Sequence, residues 1–476
     1  MSDRFYITTT LPYVNAAPHI GFALEIVEAD VIARYQSQLL GKEVIFNTGT
    51  DEHGQKIYQK AVEAGVSPQD YCNQWAEKFK QLQQLLDLSF NHFIRTTDDK
   101  HIAAAQEFWR RCLDNGDIYK ASYQVKYCVG CELAKTESEL EDGRCPLHPK
   151  QDLELISEEN YFFRFSKYAK QLEELYEKNA NFVKPASRHK EIQSFVRSGL
   201  TDFSISRLKD KMPWGIPVPN DDQHVMYVWF DALVNYISTL DWPQDEQRFQ
   251  NFWPGVQVAG KDNLRQQAAM WQAMLLSAKL PPSKQILING FIGVNGQKMS
   301  KSLGNVIAPS QLVERYGVDA SRYLLINLGT FAEDMDVTFA KLDTTYQANL
   351  ANGLGNLCSR LAKMAEQSRL SLPAIQPIID PEFMSLMDNF ALSQALSLLD
   401  RKIGEIDQYL AKETPWRQEE ARKQEIVSHA IGELLQIVYQ LQVFMPTTSK
   451  TILAHFATQP AQAFQQGLFP RLAQEV

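Results

Sequence analysis

Two βαβ patterns that lie far apart in the chain limit the fold more than any other feature. Each has a short apolar, β-branched run, a longer stretch with apolar residues at helical spacing, and a second short apolar run. The predicted elements are Phe5–Thr9, Gly21–Leu40 and Val44–Asn47 in the first unit, and Val256–Ala259, Leu264–Ala278 and Gln285–Ile288 in the second. Parallel strands joined by right-handed crossovers form a doubly wound sheet that binds nucleotides where the strand order reverses. The sequence therefore predicts an α/β protein with a Rossmann-type parallel sheet.

The rest of the 476 residues suggests further domains, because the chain exceeds one ordinary core. The segment between the two units looks inserted. From about residue 345 the pattern changes to long amphipathic stretches such as Ile426–Phe444, which are typical of a helical bundle. We predict four segments: 1–115, the first half of the nucleotide-binding domain; 116–225, an inserted connective domain; 226–345, the second half; and 346–476, an α-helical domain.

Composition excludes several classes of protein. The chain has no run of about 18 apolar residues of the kind that spans a membrane, and Asp3 and Arg4 interrupt any signal-peptide pattern. We therefore expect a cytoplasmic protein with no membrane partner. The net charge of -9 disfavours indiscriminate nucleic-acid binding, so any nucleic-acid partner must meet local basic patches.

A compact group of cysteines predicts a metal site. Cys128 and Cys131 are followed by Cys145 and His148, each pair with the two-residue spacing of a tetrahedral zinc site. Four protein ligands leave no open coordination position, which favours a structural Zn²⁺ over a hydrolytic one. The alternative is a set of reduced cysteines without a metal.

Two further segments carry groups suited to phosphate. His19 and Gly21 lie where a loop enters a helix, and free backbone N–H groups and the helix dipole favour an anion there. Lys298, Ser300 and Lys301 follow the turn after the last strand of the second unit, where two lysines suit a developing pyrophosphate. The alternatives are an ordinary surface turn and a solvated basic loop.

These two segments together resemble the paired signatures of class I aminoacyl-tRNA synthetases, and further motifs resemble the methionyl-tRNA synthetase family. The resemblance covers essentially the whole chain. The motifs are Thr9 to Gly21, Thr48-Gly49-Thr50-Asp51-Glu52-His53-Gly54, Ser204-Ile205-Ser206-Arg207, Trp214-Gly215-Ile216-Pro217, Tyr227-Val228-Trp229-Phe230-Asp231-Ala232, Gly260-Lys261-Asp262 and Lys298-Met299-Ser300-Lys301-Ser302. The chain is too short for the large editing insertion of the leucine, isoleucine and valine enzymes.

The resemblance implies a two-step reaction. L-Methionine is activated with Mg²⁺-bound ATP, and the methionyl group then passes to the terminal ribose of initiator and elongator tRNA(Met). His19, Lys298 and Lys301 are the implied catalytic residues, and Gly21 and Ser300 complete the ATP site. The chain lacks the C-terminal extension that dimerises some relatives, so we expect a monomer.

The resemblance also implies a methionine pocket. Asp51 holds the substrate ammonium, and a flexible thioether must be selected by shape and aromatic contacts. The implied pocket residues are Leu11, Tyr13, Asp51, Trp229, Ala232, Tyr236, Asp262 and Gln267. An ordinary loop aspartate, and plain core packing for each aromatic residue, are the alternatives.

Three departures from the family pattern affect these predictions. Phe22 replaces the second histidine of the first signature, and a phenyl ring cannot donate to phosphate. Asn263 and Gln267 stand where many members have Ile and His, which changes the polar partner expected for Tyr13. His148 replaces the cysteine that often ends the zinc set.

The helical domain is implied to read the anticodon. Asn356 and Arg360 would read base edges, and Trp416, after Pro415, would stack on a splayed base. The alternative is a Pro-Trp pair packed into the bundle. The basic group Lys184, Arg188, His189 and Lys190 is either a contact to the acceptor stem or a solvated face.

Two other functions remain open. A small-molecule nucleotidyltransferase of related fold would share the histidine-bearing loop but have no use for the helical domain. A tRNA-binding paralogue without catalysis would keep the zinc site and the bundle, but intact Asp51 and Lys298 to Ser302 argue against it. Methionine-dependent pyrophosphate exchange separates the three functions.

Overall fold

The computed structural model describes residues 3–131, 133–135, 140–294, 296–299, 305–331, 334–372 and 376–472. Ser300 and Lys301 lie outside these residues, and of Lys298 only the backbone is described. The chain forms two compact units. Unit 1 comprises Met1–Pro18, Val44–Leu82 and Phe90–Ile288, and unit 2 comprises His19–Glu43, Gln83–Ser89 and Asn289–Val476.

The strands are numbered here in chain order. They are β1 (Arg4–Thr9), β2 (Glu43–Thr50), β3 (His92–Arg95), β4 (Ile118–Cys128), β5 (Leu133–Lys135), β6 (Glu154–Phe163), β7 (Val183–Lys184), β8 (Phe203–Ser204), β9 (Ser206–Leu208), β10 (Pro217–Val218), β11 (Asp221–Met226), β12 (Val256–Gly260), β13 (Gln285–Asn289), β14 (Ile292–Val294), β15 (Gln297–Lys298) and β16 (Met335–Val337).

The central element is a six-stranded sheet with the order β3-β2-β1-β12-β13-β7. The first βαβ pattern supplies β1 and β2, and the second supplies β12 and β13. β1 and β12 pair in parallel with Ile7 opposite Val256 and Thr9 opposite Val258. Strand order reverses between these two neighbours, which makes the carboxyl ends of β1 and β12 the switch point of the sheet. The predicted Rossmann-type sheet is confirmed.

The helices are also numbered in chain order. They are α1 (Ile20–Arg34), α2 (Gln55–Glu63), α3 (Pro68–Lys80), α4 (Leu82–Leu85), α5 (Asp99–Asp114), α6 (Ala169–Lys178), α7 (Ala186–Arg197), α8 (Val228–Leu233), α9 (Asn235–Ser238), α10 (Glu246–Phe252), α11 (Trp271–Ser277), α12 (Pro309–Tyr316), α13 (Val318–Asn327), α14 (Phe339–Thr345), α15 (Asn356–Gln367), α16 (Pro381–Asp388), α17 (Leu392–Glu413), α18 (Glu420–Leu441) and α19 (Pro446–Ala457).

The predicted helix 21–40 forms as α1 followed by a π-helical turn over Tyr35–Leu39. Every residue of α1 except Gly21 is buried, including Glu28, Asp30 and Arg34. A helix that is buried all round must neutralise or pair such groups. The predicted second helix is likewise divided into a π-helical turn over Gln266–Met270 and α11.

The segment between the two βαβ patterns forms small sheets of its own. β4 and β6 pair antiparallel from Ile118 opposite Phe163 to Tyr127 opposite Glu154, in the four-stranded sheet β5-β4-β6-β8. A three-stranded sheet has the order β10-β11-β9. β7, however, pairs in parallel with β13 at the edge of the central sheet. The sequence gives no sign of this strand, because two residues show no periodicity.

Unit 2 contains α1, a three-stranded sheet with the order β15-β14-β16, and the C-terminal helices. α17 and α18, of 22 residues each, pack on each other, and α18 also packs on α15 and α19. The predicted helical C-terminal region is therefore confirmed. Among the described residues, no helix is long and apolar enough to cross a membrane.

Candidate active site and metal centre

The candidate amino-acid site lies in unit 1, at the carboxyl ends of β1 and β2. The Asp51 backbone N–H donates to the Pro12 carbonyl over 3.0 Å, and the Val14 N–H donates to the Asp51 carbonyl over 3.3 Å. These bonds hold the loop after β1 against the turn after β2. Asp51 is only 2% exposed, so its carboxylate is a strong candidate for a cation site shielded from water.

Glu52, the next residue of the turn, is held by side chains from other parts of unit 1. The Arg95 guanidinium donates to both Glu52 carboxylate oxygens, over 2.6 and 2.8 Å, and Thr50 and Thr97 add hydroxyl donors at 2.7 and 2.6 Å. The Glu52 side chain is fully buried. The Trp214 indole N–H donates to the Glu52 carbonyl over 2.5 Å. Both side chain and backbone of Glu52 are thus fixed.

His53 is anchored to α8. Its Nδ1 lies 2.7 Å from Asp231 Oδ2, and its ring packs on Trp214 with centroids 5.5 Å apart. The other Asp231 oxygen lies 2.9 Å from His101 Nε2, and His101 Nδ1 lies 2.9 Å from the Ser238 hydroxyl. Burial alone would raise the pKa of Asp231. The charge of His53 and hydrogen bonds from both imidazoles outweigh burial, and the pKa lies below its ordinary value.

An aromatic wall faces the same region. Tyr13 and Trp229 meet edge to face, with ring centroids 6.3 Å apart. Ala232 and Tyr236 follow Trp229 at helical spacing and are buried, whereas Trp229 and Leu11 are half-buried. Such an arrangement offers a thioether aromatic contacts without demanding a hydrogen bond.

Gln267 is held by other buried side chains of unit 1. Its side-chain amide donates to the Tyr236 phenol over 2.5 Å. Gln257 donates to Gln267 over 3.0 Å, which fixes the orientation of the Gln267 amide. Asp262 lies at the switch point after β12, where it is exposed and accepts from Asn263 over 3.3 Å.

The candidate phosphate groups lie in unit 2. His19 caps α1: it is exposed, and its Nδ1 accepts the Gly21 N–H over 3.0 Å. In a neutral ring the proton is therefore on Nε2, which is the donor. A Cβ at Gly21 would lie 2.8 Å from the His19 ring and 3.7 Å from the Met299 side chain. A side chain larger than glycine at position 21 would therefore displace the His19 ring. The Met299 contact also shows that the lysine segment comes close to the start of α1.

The lysine segment begins on a β-hairpin. Lys298 ends β15 opposite Gly293 of β14, and Gly296 turns the chain with a positive φ of 72°. The Gly296 N–H donates to the Asp336 carboxylate over 2.6 Å. The backbone that presents Lys298 is therefore held by a sheet and a carboxylate.

The four predicted metal ligands come together in unit 1. All their ligand atoms lie within 4.8 Å of one another, with Cys131 Sγ 3.5 Å from Cys145 Sγ and 3.2 Å from His148 Nδ1. Ligands about 2.3 Å from a tetrahedral ion lie about 3.8 Å apart. A Cβ at Gly130 would lie 2.5 Å from the His148 ring, so glycine permits this packing. The donor set and spacing fit zinc.

Comparisons with known proteins agree with this geometry. The family described as "tRNA synthetases class I (M)" matches residues 5–154 and 134–362. The methionine–tRNA ligase of Thermosynechococcus vestitus is 41% identical over 95% of this chain and 90% of its own, and that of Thermotoga maritima is 39% identical over 94% and 74%. This chain belongs to the methionine–tRNA ligase family.

A solved structure of the family is also similar. The Mycobacterium tuberculosis methionyl-tRNA synthetase in complex with methionyl-adenylate superposes with a TM-score of 0.89 at 34% identity, covering 99% of this chain and 100% of that one. The family's fold is therefore present over nearly the whole chain.

In the helical region, the residues predicted to read the anticodon differ in exposure. Trp416 is 54% exposed and is not packed into the bundle, while Pro415 is buried. Asn356 is exposed, and the Arg360 guanidinium donates to Asp407 over 2.7 Å. An exposed indole of this kind is suited to stacking on a base.

The basic group in the connective region is not a simple solvated face. His189 is only 7% exposed and packs on Tyr176. Burial lowers the pKa of Lys184, and Arg188 pairs with Glu191 over 2.6 Å. The group therefore offers a smaller positive surface than the sequence suggests.

Sequence reasoning missed how the methionine–tRNA ligase motifs support each other. Glu52, His53 and Asp231 lie within the motifs, but the sequence gives no function for them. Arg95 and His101 carry no local signal, because they lie 43 and 130 residues from the groups they contact. The acidic residues within these motifs are the available signal, since an acidic side chain requires a partner wherever the fold buries it.

Proposed function

We propose that this chain is a methionine–tRNA ligase. It activates L-methionine with ATP to methionyl-adenylate and pyrophosphate, and then transfers methionine to the 3′-terminal ribose of tRNA(Met), initiator and elongator. The observation that carries the proposal is the match over 99% of the chain to a synthetase in complex with methionyl-adenylate. We further propose the division into segments 1–115, 116–225, 226–345 and 346–476, and a monomer.

Asp51 binds the methionine ammonium in this proposal. Its carboxylate is buried at the end of β2, and anchors on either side of the turn restrict its movement. Tyr13, Trp229, Ala232 and Tyr236 surround the thioether, with Leu11, Asp262 and Gln267 completing the pocket. A site held rigid before binding loses less entropy when substrate enters.

The phosphates are bound electrostatically. The methionine carboxylate attacks the α-phosphate, and pyrophosphate leaves. The His19 Nε2–H, Lys298, Ser300 and Lys301 would stabilise the charge that builds on the phosphate oxygens, and Gly21 would leave room for the His19 ring at the start of α1. Mg²⁺ bound with ATP would neutralise part of the same charge. No covalent enzyme intermediate is required.

Zn²⁺ is proposed as a structural ion held by Cys128, Cys131, Cys145 and His148. Four protein ligands leave it no open position. Removal of zinc with a chelator should unfold the connective segment around the site and release about one equivalent of zinc per chain. Metal analysis before and after chelation, with circular dichroism, measures both effects. A protein that folds identically without metal would refute this assignment.

The tRNA end is proposed from exposure and family position. Trp416, which follows the buried Pro415, would stack on an anticodon base, and Asn356 and Arg360 would read base edges. Trp416→Ala should raise the KM for tRNA in aminoacylation and leave pyrophosphate exchange unchanged. A parallel change in exchange would indicate a folding defect instead.

The central test is pyrophosphate exchange with each of the twenty amino acids. We expect exchange that depends on methionine. A nucleotidyltransferase would show none with any amino acid, and a non-catalytic RNA-binding paralogue would show none while still binding tRNA.

Lys301→Ala tests the phosphate assignment. It should lower exchange by about 100-fold or more while methionine binding measured by calorimetry stays unchanged, because the charge develops only in the transition state. Lys412→Ala, a lysine on α17 outside the proposed sites, is the matched control. Unchanged exchange in Lys301→Ala would remove that residue from the mechanism.

A further inference from the structure

A buried series of polar groups connects the turn after β2 with α8 and α9, which carry part of the proposed methionine pocket. It runs from His53 to Asp231, then to His101 and Ser238, with contacts of 2.7, 2.9 and 2.9 Å. His53 is 5% exposed, and the other three are completely buried. Buried hydrogen-bonded chains of this kind are costly to disturb.

Three members belong to elements that also carry pocket residues. His53 follows Asp51 by two residues in the turn after β2. Asp231 lies on α8 with Trp229 and Ala232, and Ser238 lies on α9 with Tyr236. These contacts therefore connect the turn after β2 with the α8–α9 segment, which carries the pocket residues Trp229, Ala232 and Tyr236.

The fourth member, His101, lies on α5, which supplies no pocket residue. It bridges Asp231 and Ser238 through its two ring nitrogens. With Asp231 ionised, His101 Nε2–H and His53 Nδ1–H both donate to it, and the Ser238 hydroxyl donates to His101 Nδ1. Each carboxylate oxygen then has its own imidazole donor.

We propose that Asp231 and its two imidazoles, His53 and His101, form a positioning unit that sets the distance between the ammonium-binding turn and the aromatic wall of the methionine site. The inference rests on the proposed function. His101 is a positioning residue that acts on substrate only through Asp231 and Ser238.

Two faces of α8 explain how this works. Trp229 and Ala232 are three residues apart and lie on one side of α8, whereas Asp231, two residues after Trp229, lies on another side and contacts the imidazoles. α8 has only six residues, so its own hydrogen bonds hold it weakly. The contacts of Asp231 therefore fix its rotation, and with it the position of the Trp229 ring.

The test replaces His101 with Leu and with Gln. Leucine removes both hydrogen bonds, whereas a glutamine amide reaches about as far as Nε2 and can still donate to Asp231. In methionine-dependent pyrophosphate exchange, His101→Leu should raise the KM for methionine about tenfold or more, because losing the hydrogen bond to the charged Asp231 alone has an effect of about that size. The KM for ATP should stay the same, and His101→Gln should recover most of the loss.

Asp117→Asn is the matched control. Asp117 is a completely buried aspartate at the start of β4 that accepts from Tyr168, Lys167 and Ser277 over 2.5, 2.6 and 2.8 Å. Its replacement should lower stability without changing the KM for methionine. If Asp117→Asn and His101→Leu raise that KM equally, or if His101→Gln behaves like His101→Leu, the positioning unit is refuted.

A double-mutant cycle with Trp229→Phe separates positioning from general loss of fold. If His101 acts through the wall, the effects of His101→Leu and Trp229→Phe on the KM for methionine will not add. Additive effects would overturn the proposal. Should His101→Leu fail to fold, Ser238→Ala breaks only the outer bond, and we expect a smaller rise in the same KM; no rise would count against the unit.

Failure of the proposed function can be distinguished from failure of the positioning unit. A wild-type enzyme without methionine-dependent exchange refutes the function itself. The inference is then decided by crystal structures of the wild type and His101→Leu: displaced α8 and turn 51–54 would support the positioning unit, and unchanged positions would refute it.

Discussion

Helix α1 in unit 2 and the turn after β2 in unit 1 both bury carboxylates, but they treat them differently. In the turn region, Glu52 has an arginine and two hydroxyls, and Asp231 has two imidazoles. In α1, Asp30 is held by Arg34 and Arg322 over 2.7 and 2.6 Å. Glu28, by contrast, accepts from the Asn289 amide, and the charge of Glu25 adds to the effect of its burial.

This difference decides the charge of each group. Burial would raise the pKa of Asp30, but Arg322, Arg34 and Ser89 outweigh it and hold the pKa below the ordinary value. For Glu28, burial dominates and raises the pKa well above the ordinary value. Among the described residues, Glu28 Oε1 has no hydrogen-bond partner. The pKa is therefore lowered at Asp30 and Asp231, where arginines or imidazoles donate to the carboxylate, and raised at Glu28, where an amide donates.

The largest expected effect is at the turn. Arg95→Met would leave the buried Glu52 carboxylate without its cation, and the free energy of unfolding should fall by about 3 to 5 kcal/mol. Urea denaturation measures the change. Arg197→Met, which removes an exposed pair with Glu177 at 3.5 Å, is the control and should change stability little. Similar falls in the free energy of unfolding of both variants would show that burial of the Glu52 carboxylate does not increase the cost of losing its cation.

A somewhat smaller effect is expected in α1. Asp30→Asn leaves Arg322, which is completely buried, without its carboxylate, and should cost about 3 kcal/mol at neutral pH. Because the folded pKa of Asp30 is lowered, its contribution is present above the unfolded pKa of about 3.9 and is lost as pH falls through the folded value.

The pH dependence provides the test for Asp30. Denaturation of wild type and Asp30→Asn should therefore give the widest difference near pH 7 and a narrowing difference below about pH 4. A difference that does not depend on pH would show that packing, not charge, explains the loss.

The smallest effect has the opposite sign. Because the folded pKa of Glu28 is raised, its stabilising contribution is complete below the unfolded pKa of about 4.3 and is lost as pH rises toward the folded value. Glu28→Gln should therefore raise stability at pH 8 by about 1 kcal/mol and change little at pH 4. Lower stability of Glu28→Gln at pH 8 would indicate a charged, paired Glu28.

Much of the fold follows from the sequence because its signals are local. β1, β2, β12 and β13 were predicted from short apolar runs, and each is within a few residues of its observed bounds. α1 was also predicted, but from its apolar residues alone. That Glu28, Asp30 and Arg34 are buried too depends on groups that pack around the helix, which periodicity does not reveal.

The candidate site divides in the same way. The spacing of Cys128, Cys131, Cys145 and His148 predicted the cluster that the structure brings together, because two short turns supply all four ligands. The functions of His19, Asp51 and the pocket residues stay predictions supported by their positions.

The sequence by itself determined the class of sheet, the metal-ligand set and the order of motifs, since each depends on neighbours in the chain. Only the tertiary structure decided that Gln267 serves Tyr236, that Arg95 neutralises Glu52, and that His101 meets Asp231. These contacts join residues 31, 43 and 130 positions apart in sequence, and the partners are selected by tertiary packing such as the pairing of β2 with β3 and the contact of α5 with α9. A buried charged side chain requires a partner, but only the fold determines which residue is that partner.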